Sequence, residues 1–242
     1  SQILTHYPEN IQIARTITEQ EAKRDERNEE QVYVPSLAKD LLEQISFEAR
    51  ESEYIDVKSG VSARMSITAF ENLLSTAERR ALMAGDEKTT VRLGDFMGMI
   101  PAITGKVELV YEGEQEGAAT VAHTLIGDAI QTLFITYFPE IKKLEKQNEK
   151  SPYDEVVTWF FDQSDFQLLD DLNEEEYKKM LDSVTPLQNL INTHQPDLPQ
   201  SDQYFMKEFI LWALVEFKKL SKYRMTDGIR FKDLYGSYIS GL

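Results

Sequence analysis

Apolar residues recur along this chain mostly at spacings of three and four, the interval that places them on one face of a 3.6-residue turn. The clearest run is Ile67, Phe70, Leu74, Ala77 and Ala81, with Gly85 placed to stop the helix. Ahead of it, Leu37, Leu41, Leu42 and Ile45 share a face behind Pro35 and Ser36, which predicts a helix over 36–51. Val121, Leu125, Ala129, Leu133 and Tyr137 form a wide stripe and predict another over 118–137. Three more are predicted over 153–161, 174–192 (with a break at Pro186) and 203–222. The prolines of "THQPDLPQSD" mark the loop before the last of these. Near the start, Thr18 and Glu21 have the spacing of a capping box for a short helix. "FILWALVEF" is apolar nearly all round, as suits the central helix of a bundle.

One stretch alternates instead. In "GKVELVYEG", Val107, Leu109 and Tyr111 interleave with Glu108, Val110 and Glu112 between two glycines, which predicts a half-buried strand. "TTVRLGDF" reads as a short extended segment leading into a short helix near 96–100. The charged run "EIKKLEKQNEKSPYDE" reads as an exposed connection and a candidate boundary. No internal repeat is present.

The acidic balance, 42 Asp and Glu against 26 Lys and Arg for a net charge of −16, disfavours duplex nucleic acid and anionic membranes as partners. No apolar run approaches the ~18–20 residues of a membrane span. The absence of cysteine excludes disulfides and thiolate chemistry and fits a cytoplasmic location. "AGDEKTT" has one glycine ahead of Lys88-Thr89 and is not a phosphate-binding loop. His6, His123 and His194 lack the local spacing of metal ligands, so no metal site is expected. No serine sits in a nucleophile elbow. The acidic run Asp170–Glu176 has no central glycine for a calcium loop and suits a helix start, where the helix dipole favours negative charge.

The specific signal is "SGVSARMSITAFENLLSTAERRAL". It resembles the second sensor motif of AAA+ ATPases of the magnesium-chelatase and MoxR kind, in which a Gly-x-Ser-x-Arg turn opens a lid helix. "ILTHYPENIQIARTITEQEA" is similar to the segment leaving the nucleotide-binding core of such proteins, and "VYVPSLAKDLLEQI" to the first lid helix. "VRLGDFMGMIPAITGKVELVYEGE" and "KEFILWALVEFKKLSKYR" resemble the carboxy-terminal part of one bacterial branch. The resemblance implies a mainly α chain: a helical AAA+ lid-type bundle with a small β hairpin, followed by a second helical bundle. It implies a linker from a missing ATPase core over 1–35, the lid over 36–116 and a carboxy-terminal helical domain over 117–242.

On that resemblance Gly60, Ser62 and Arg64 form the nucleotide-facing set, with Arg64 as the sensor arginine. Gly60 permits a turn closed to other residues, Ser62 can cap the following helix, and a guanidinium can offer two parallel hydrogen bonds to phosphate. Phosphate loop, Walker B acids and first sensor are all missing, so these 242 residues are expected to show no turnover alone. ATP and Mg would belong to the intact protein. Its partners would be that core, neighbouring subunits of a homo-oligomeric ring and a client protein, with no nucleic acid and no membrane. Arg64 could instead pair with Glu71 or Glu78; of Arg79 and Arg80, one could face the nucleotide or a subunit junction, with plain solvation the commoner fate of such residues. Two other functions compete: a stand-alone helical protein-interaction module, and a winged-helix nucleic-acid reader over 32–112, whose wing would be crowded with glutamates.

Overall fold

Asn10 opens the first helix by accepting from the Ile13 N–H at 3.0 Å. The computed structural model describes residues 6–24, 26–58, 60–62, 64–141, 151–163 and 166–234. Segment 1–35, expected as a linker, holds α1 (Ile11–Glu21), α2 (Glu26–Gln31) and β1 (Val32–Tyr33). Thr18 does not cap a helix; it is buried inside α1, one turn above the buried Ala14. Arg15 ties α1 to α3 (Ser36–Glu51) through Asp40 at 2.8 Å and Ser36 at 3.1 Å.

α4 (Met65–Ala84) follows the predicted stripe and ends at Gly85, whose left-handed backbone (φ 78°) returns its N–H to Ala81 O. Next come β2 (Thr89–Thr90) and a 3-10 helix, Leu93–Met99. β2 pairs in parallel with β1, Val32 opposite Thr89 and Tyr33 opposite Thr90. α5 (Ile100–Thr104), α6 (Tyr111–Glu116) and α7 (Ala118–Tyr137) then follow.

The strand predicted in "GKVELVYEG" does not form a hairpin. Val107 and Leu109 make isolated antiparallel bridges to Val61 and Ile55, in the connection ahead of α4. The alternation therefore records two inward contacts. From Tyr111 the chain turns helical, with Glu112 and Glu114 in the first turn, where the helix dipole favours acids.

The later part contains α8 (Asp154–Asp162), β3 (Phe166–Leu169), α9 (Glu174–Ser183), α10 (Thr185–His194), α11 (Gln203–Glu216), β4 (Leu220–Arg224) and β5 (Gly228–Asp233). The predicted break near Pro186 falls at Val184, and Pro186 sits in the first turn of α10, where its missing N–H costs nothing. The last helix stops at Glu216, six residues before the predicted end, because Lys218 takes a left-handed backbone (φ 58°) and Leu220 is buried in β4. The hairpin of this mainly α fold is thus β4–β5. β5 is the middle strand of an antiparallel sheet in the order β3-β5-β4.

α11 is the central helix: Phe205 to Leu214 are all buried. α7 packs against both α3 and α11. An added Cβ on Gly127 of α7 would lie 2.8 Å from the Glu216 carboxylate, so this glycine allows the close crossing with α11. Contrary to the reading of apolar runs, α7 has the length and composition of a membrane span (mean hydropathy 1.3), with 50% of that window buried within the fold. One contiguous core runs from Val32 to Phe231, across both sides of residue 116.

Candidate functional site

The three residues singled out in the sequence lie together before α4. Gly60 adopts a left-handed backbone (φ 70°), and an added Cβ would sit 2.8 Å from the Tyr7 hydroxyl oxygen. That hydroxyl donates to Val61 O at 2.7 Å, and the Arg50 guanidinium stacks over the Tyr7 ring at 4.2 Å. On the other side, Ser62 N–H donates to Lys106 O at 3.2 Å. Ser62 O accepts from Met65 N–H at 2.9 Å, and Ser62 Oγ accepts from Arg64 N–H at 3.3 Å. The loop is therefore tied to the amino-terminal segment and to Lys106, just past α5. Ser62 does not cap α4 as expected: the N-cap position is Arg64, without a side-chain cap bond, and Ser62 Oγ meets Arg64 N–H one position ahead of the helix.

Arg64 is helical in backbone (φ −85°, ψ 0°) and its side chain is exposed. Among the described residues it forms no ion pair; Glu71, one alternative partner, accepts from Lys23 N–H at 3.0 Å instead. A guanidinium so placed can meet an anion brought from outside the chain.

The far end of α4 differs. Arg80, expected to be solvated, is only 8% exposed. Its Nε and Nη2 donate to the two Asp95 oxygens, each at 2.9 Å, while Nη1 reaches Thr89 Oγ1 at 3.0 Å and Nη2 also reaches Thr90 O at 2.9 Å. Burial works against its charge, but Asp95 holds its pKa above the ordinary value. Asp95 also accepts from Arg92 N–H at 2.8 Å, which opens the 3-10 helix.

Two more acids, the buried Glu208 and the half-buried Glu174, belong to this cluster. Glu208, on α11, is 2% exposed and accepts from Leu93 N–H at 2.8 Å, Gly94 N–H at 3.2 Å and Tyr177 Oη at 2.7 Å. Burial raises its carboxyl pKa, and burial and the Glu208 charge raise the Tyr177 phenol well above its ordinary range. Glu174, at the head of α9, accepts from Thr89 Oγ1 at 2.8 Å and Thr90 N–H at 2.9 Å. Burial alone would raise Glu174, yet those two donors and Arg92 bring it below its ordinary value. Asp170–Glu176 was expected to serve a helix start, and Asn173 with Glu176 does form the capping box of α9. Glu174 additionally bridges to β2.

Arg92 completes the group. It is 4% exposed, lies 4.1 Å over the Tyr177 ring and donates from Nη1 to Leu172 O at 2.8 Å. Burial and the neighbouring Arg80 lower its pKa. The periodicity of α4 hid this cluster, because Arg80 is as buried as its apolar neighbours and its partners lie on other elements. No local signal in the sequence marks it, since Asp86, Glu87 and Lys88 share the stretch with Arg80, Arg92 and Asp95.

A cavity of about 490 Å³ opens beside the cluster, lined by α4, the 3-10 helix, β3 and the β4–β5 turn. The residues around it can hold charge and accept or donate hydrogen bonds. Among the described residues, no three metal-ligating side chains gather. Comparison of the chain with models of known families, with curated proteins and with solved structures returns no match.

Proposed function

We propose that the chain supplies the lid of an AAA+ ATPase similar to magnesium chelatase, with Arg64 contributing to hydrolysis of a nucleotide held elsewhere in the intact oligomer. One observation carries this: the stretch that resembles the sensor motif places an exposed guanidinium at the head of a 20-residue helix, on a loop held by Tyr7. The residues do not fit the whole cofactor. No glycine-rich phosphate cradle exists in the sequence, and among the described residues no acid cluster would hold Mg. ATP and Mg would therefore be bound by an ATPase core outside these residues, and Arg64 could only reach the phosphates from without. The helices after residue 117 would engage a client protein.

The test is Arg64→Ala in an ATPase that contains this lid. Loss of an arginine that stabilises the transferring phosphoryl group lowers turnover by about 10³–10⁵ in known cases, and a large drop with nucleotide affinity retained is expected. The 242 residues alone are expected to hydrolyse no ATP. Unchanged turnover in the variant would leave the chain as a protein-interaction module.

A further inference from the structure

The loop ahead of Arg64 takes its support from two directions. Gly60 N–H donates to Asp56 O at 3.0 Å and Ser62 N–H to Lys106 O at 3.2 Å, within a connection that Val61–Val107 and Ile55–Leu109 already bridge. Val61 O, between these two donors, accepts from the Tyr7 hydroxyl at 2.7 Å. That bond comes from 54 positions away, from a side chain ahead of α1.

Tyr7 is itself set by α3. Arg50, in the last turn of that helix, has its guanidinium carbon 4.2 Å from the Tyr7 ring centre and 5.1 Å from that of Phe47, and its Nη2 donates to Ser46 Oγ at 3.0 Å. A guanidinium held by its own helix and by two rings gives the tyrosine a firm floor. On the other side the hydroxyl lies so close to Gly60 that an added Cβ there would meet it at 2.8 Å. Tyr7 thus bridges the end of α3 and the turn that leads to Arg64. Yet it is 44% exposed, and its hold is one neutral hydrogen bond and one cation–π contact, both of modest worth. α1 is anchored separately, by Arg15 on Asp40 at 2.8 Å and by Glu19 on Lys39 at 2.7 Å, so Tyr7 can leave its place without α1 coming away.

We propose that Tyr7 is a positioning residue for Arg64, a releasable strap between the segment ahead of α1 and the arginine's loop. Its part in hydrolysis rests on the reading of Arg64 given under the proposed function. With the strap closed, Val61 is fixed and Arg64 keeps one placement at the head of α4. When the residues ahead of α1 are drawn aside, the hydroxyl leaves Val61, Gly60 gains room, and the arginine loses that placement while α4 stays folded. Hydrolysis in the intact oligomer would then depend on where the amino-terminal segment lies, with no contact between Tyr7 and the nucleotide.

Two measurements test this. In an ATPase that contains this lid, Tyr7→Phe keeps the stack on Arg50 and loses the bond to Val61. It is expected to lower kcat about threefold to tenfold, the worth of one hydrogen bond, with KM for ATP unchanged. In an Arg64→Ala background the same change is expected to have no further effect, because both act through one guanidinium. A full additional loss in that background would make Tyr7 a general support of the fold and overturn the proposal. So would an unchanged kcat in Tyr7→Phe where Arg64→Ala lowers it. Hydrogen exchange on the 242-residue chain separates failure of the strap from failure of the Arg64 reading. Tyr7→Phe is expected to speed exchange of the Ser62 and Arg64 amides by a similar factor, and to leave α1 and the middle of α4 as they were. If Arg64→Ala leaves turnover unchanged, the role in hydrolysis falls, and faster exchange confined to the loop still upholds the strap. Unchanged exchange in the loop overturns it, as does acceleration spread through α1 or α4.

Discussion

The two ends of α4 carry arginines with opposite fates. Arg64 stands at the head, exposed, on a loop braced from below. Arg80 stands sixteen residues on, sealed under β2 and the 3-10 helix with its donors committed to Asp95 and the two threonines. A side chain whose donors are consumed inside the fold is part of the architecture. One that remains exposed at a fixed point is free to act on something else. The same residue type on the same helix is thus built into the fold at one end and left exposed at the other.

The sharpest way to break this contrast is Asp95→Ala. It would strand the Arg80 charge in a buried site and also remove the acceptor of Arg92 N–H, and stability should fall by about 3–5 kcal/mol by chemical denaturation. A loss under about 1 kcal/mol would mean that water reaches Arg80 readily, and the distinction between the ends would fade. At the other end, Gly60→Ala forces a left-handed backbone on a residue with a Cβ and presses it on Tyr7, and should cost about 1–3 kcal/mol. If the cost is absent, the Arg64 loop is looser than its bonds imply.

Acidity sharpens the comparison further. The Glu174 carboxyl lies below its ordinary 4.5, so its stabilising contribution is present above that value and is lost as pH falls through the depressed one. Glu174→Gln should therefore be less stable than the parent at neutral pH, with the gap closing on acidification. A gap independent of pH would show that the lost hydrogen-bond geometry, and not the charge, matters. Smallest of all, Arg64→Ala should change stability by no more than about 0.5 kcal/mol, since it exposes no cavity and breaks no pair among the described residues. A larger change would mark Arg64 as structural and remove the basis for its role in hydrolysis.

α3 and α7 were legible in their bounds and α4 in its stripe and its stop at Gly85, because each buries a regular apolar face. At Gly60 the left-handed backbone was legible, but the brace of its loop was not, since Tyr7 and Lys106 supply it from far along the chain. What escaped was set by distant partners. Val107 and Leu109 alternate like a strand but bridge single residues fifty positions earlier, so the pattern lacked the neighbour that a strand needs. "LSKYR" continues a helical run, yet becomes β4 because β5 supplies its backbone bonds. The Arg80–Asp95–Glu174–Glu208 cluster draws on four separate elements, and nothing local marks any of these charges for burial.

The order β3-β5-β4 also bears on how this chain is made. A ribosome delivers β3 first, β4 next and β5 last, yet β5 is the strand that must slide between the other two. Until it emerges, two unpaired edges stand ready to stick to themselves or to other nascent chains. The carboxy-terminal sheet can therefore close only once β5 has been made, and a pause before residue 228 leaves β3 and β4 without the strand they share.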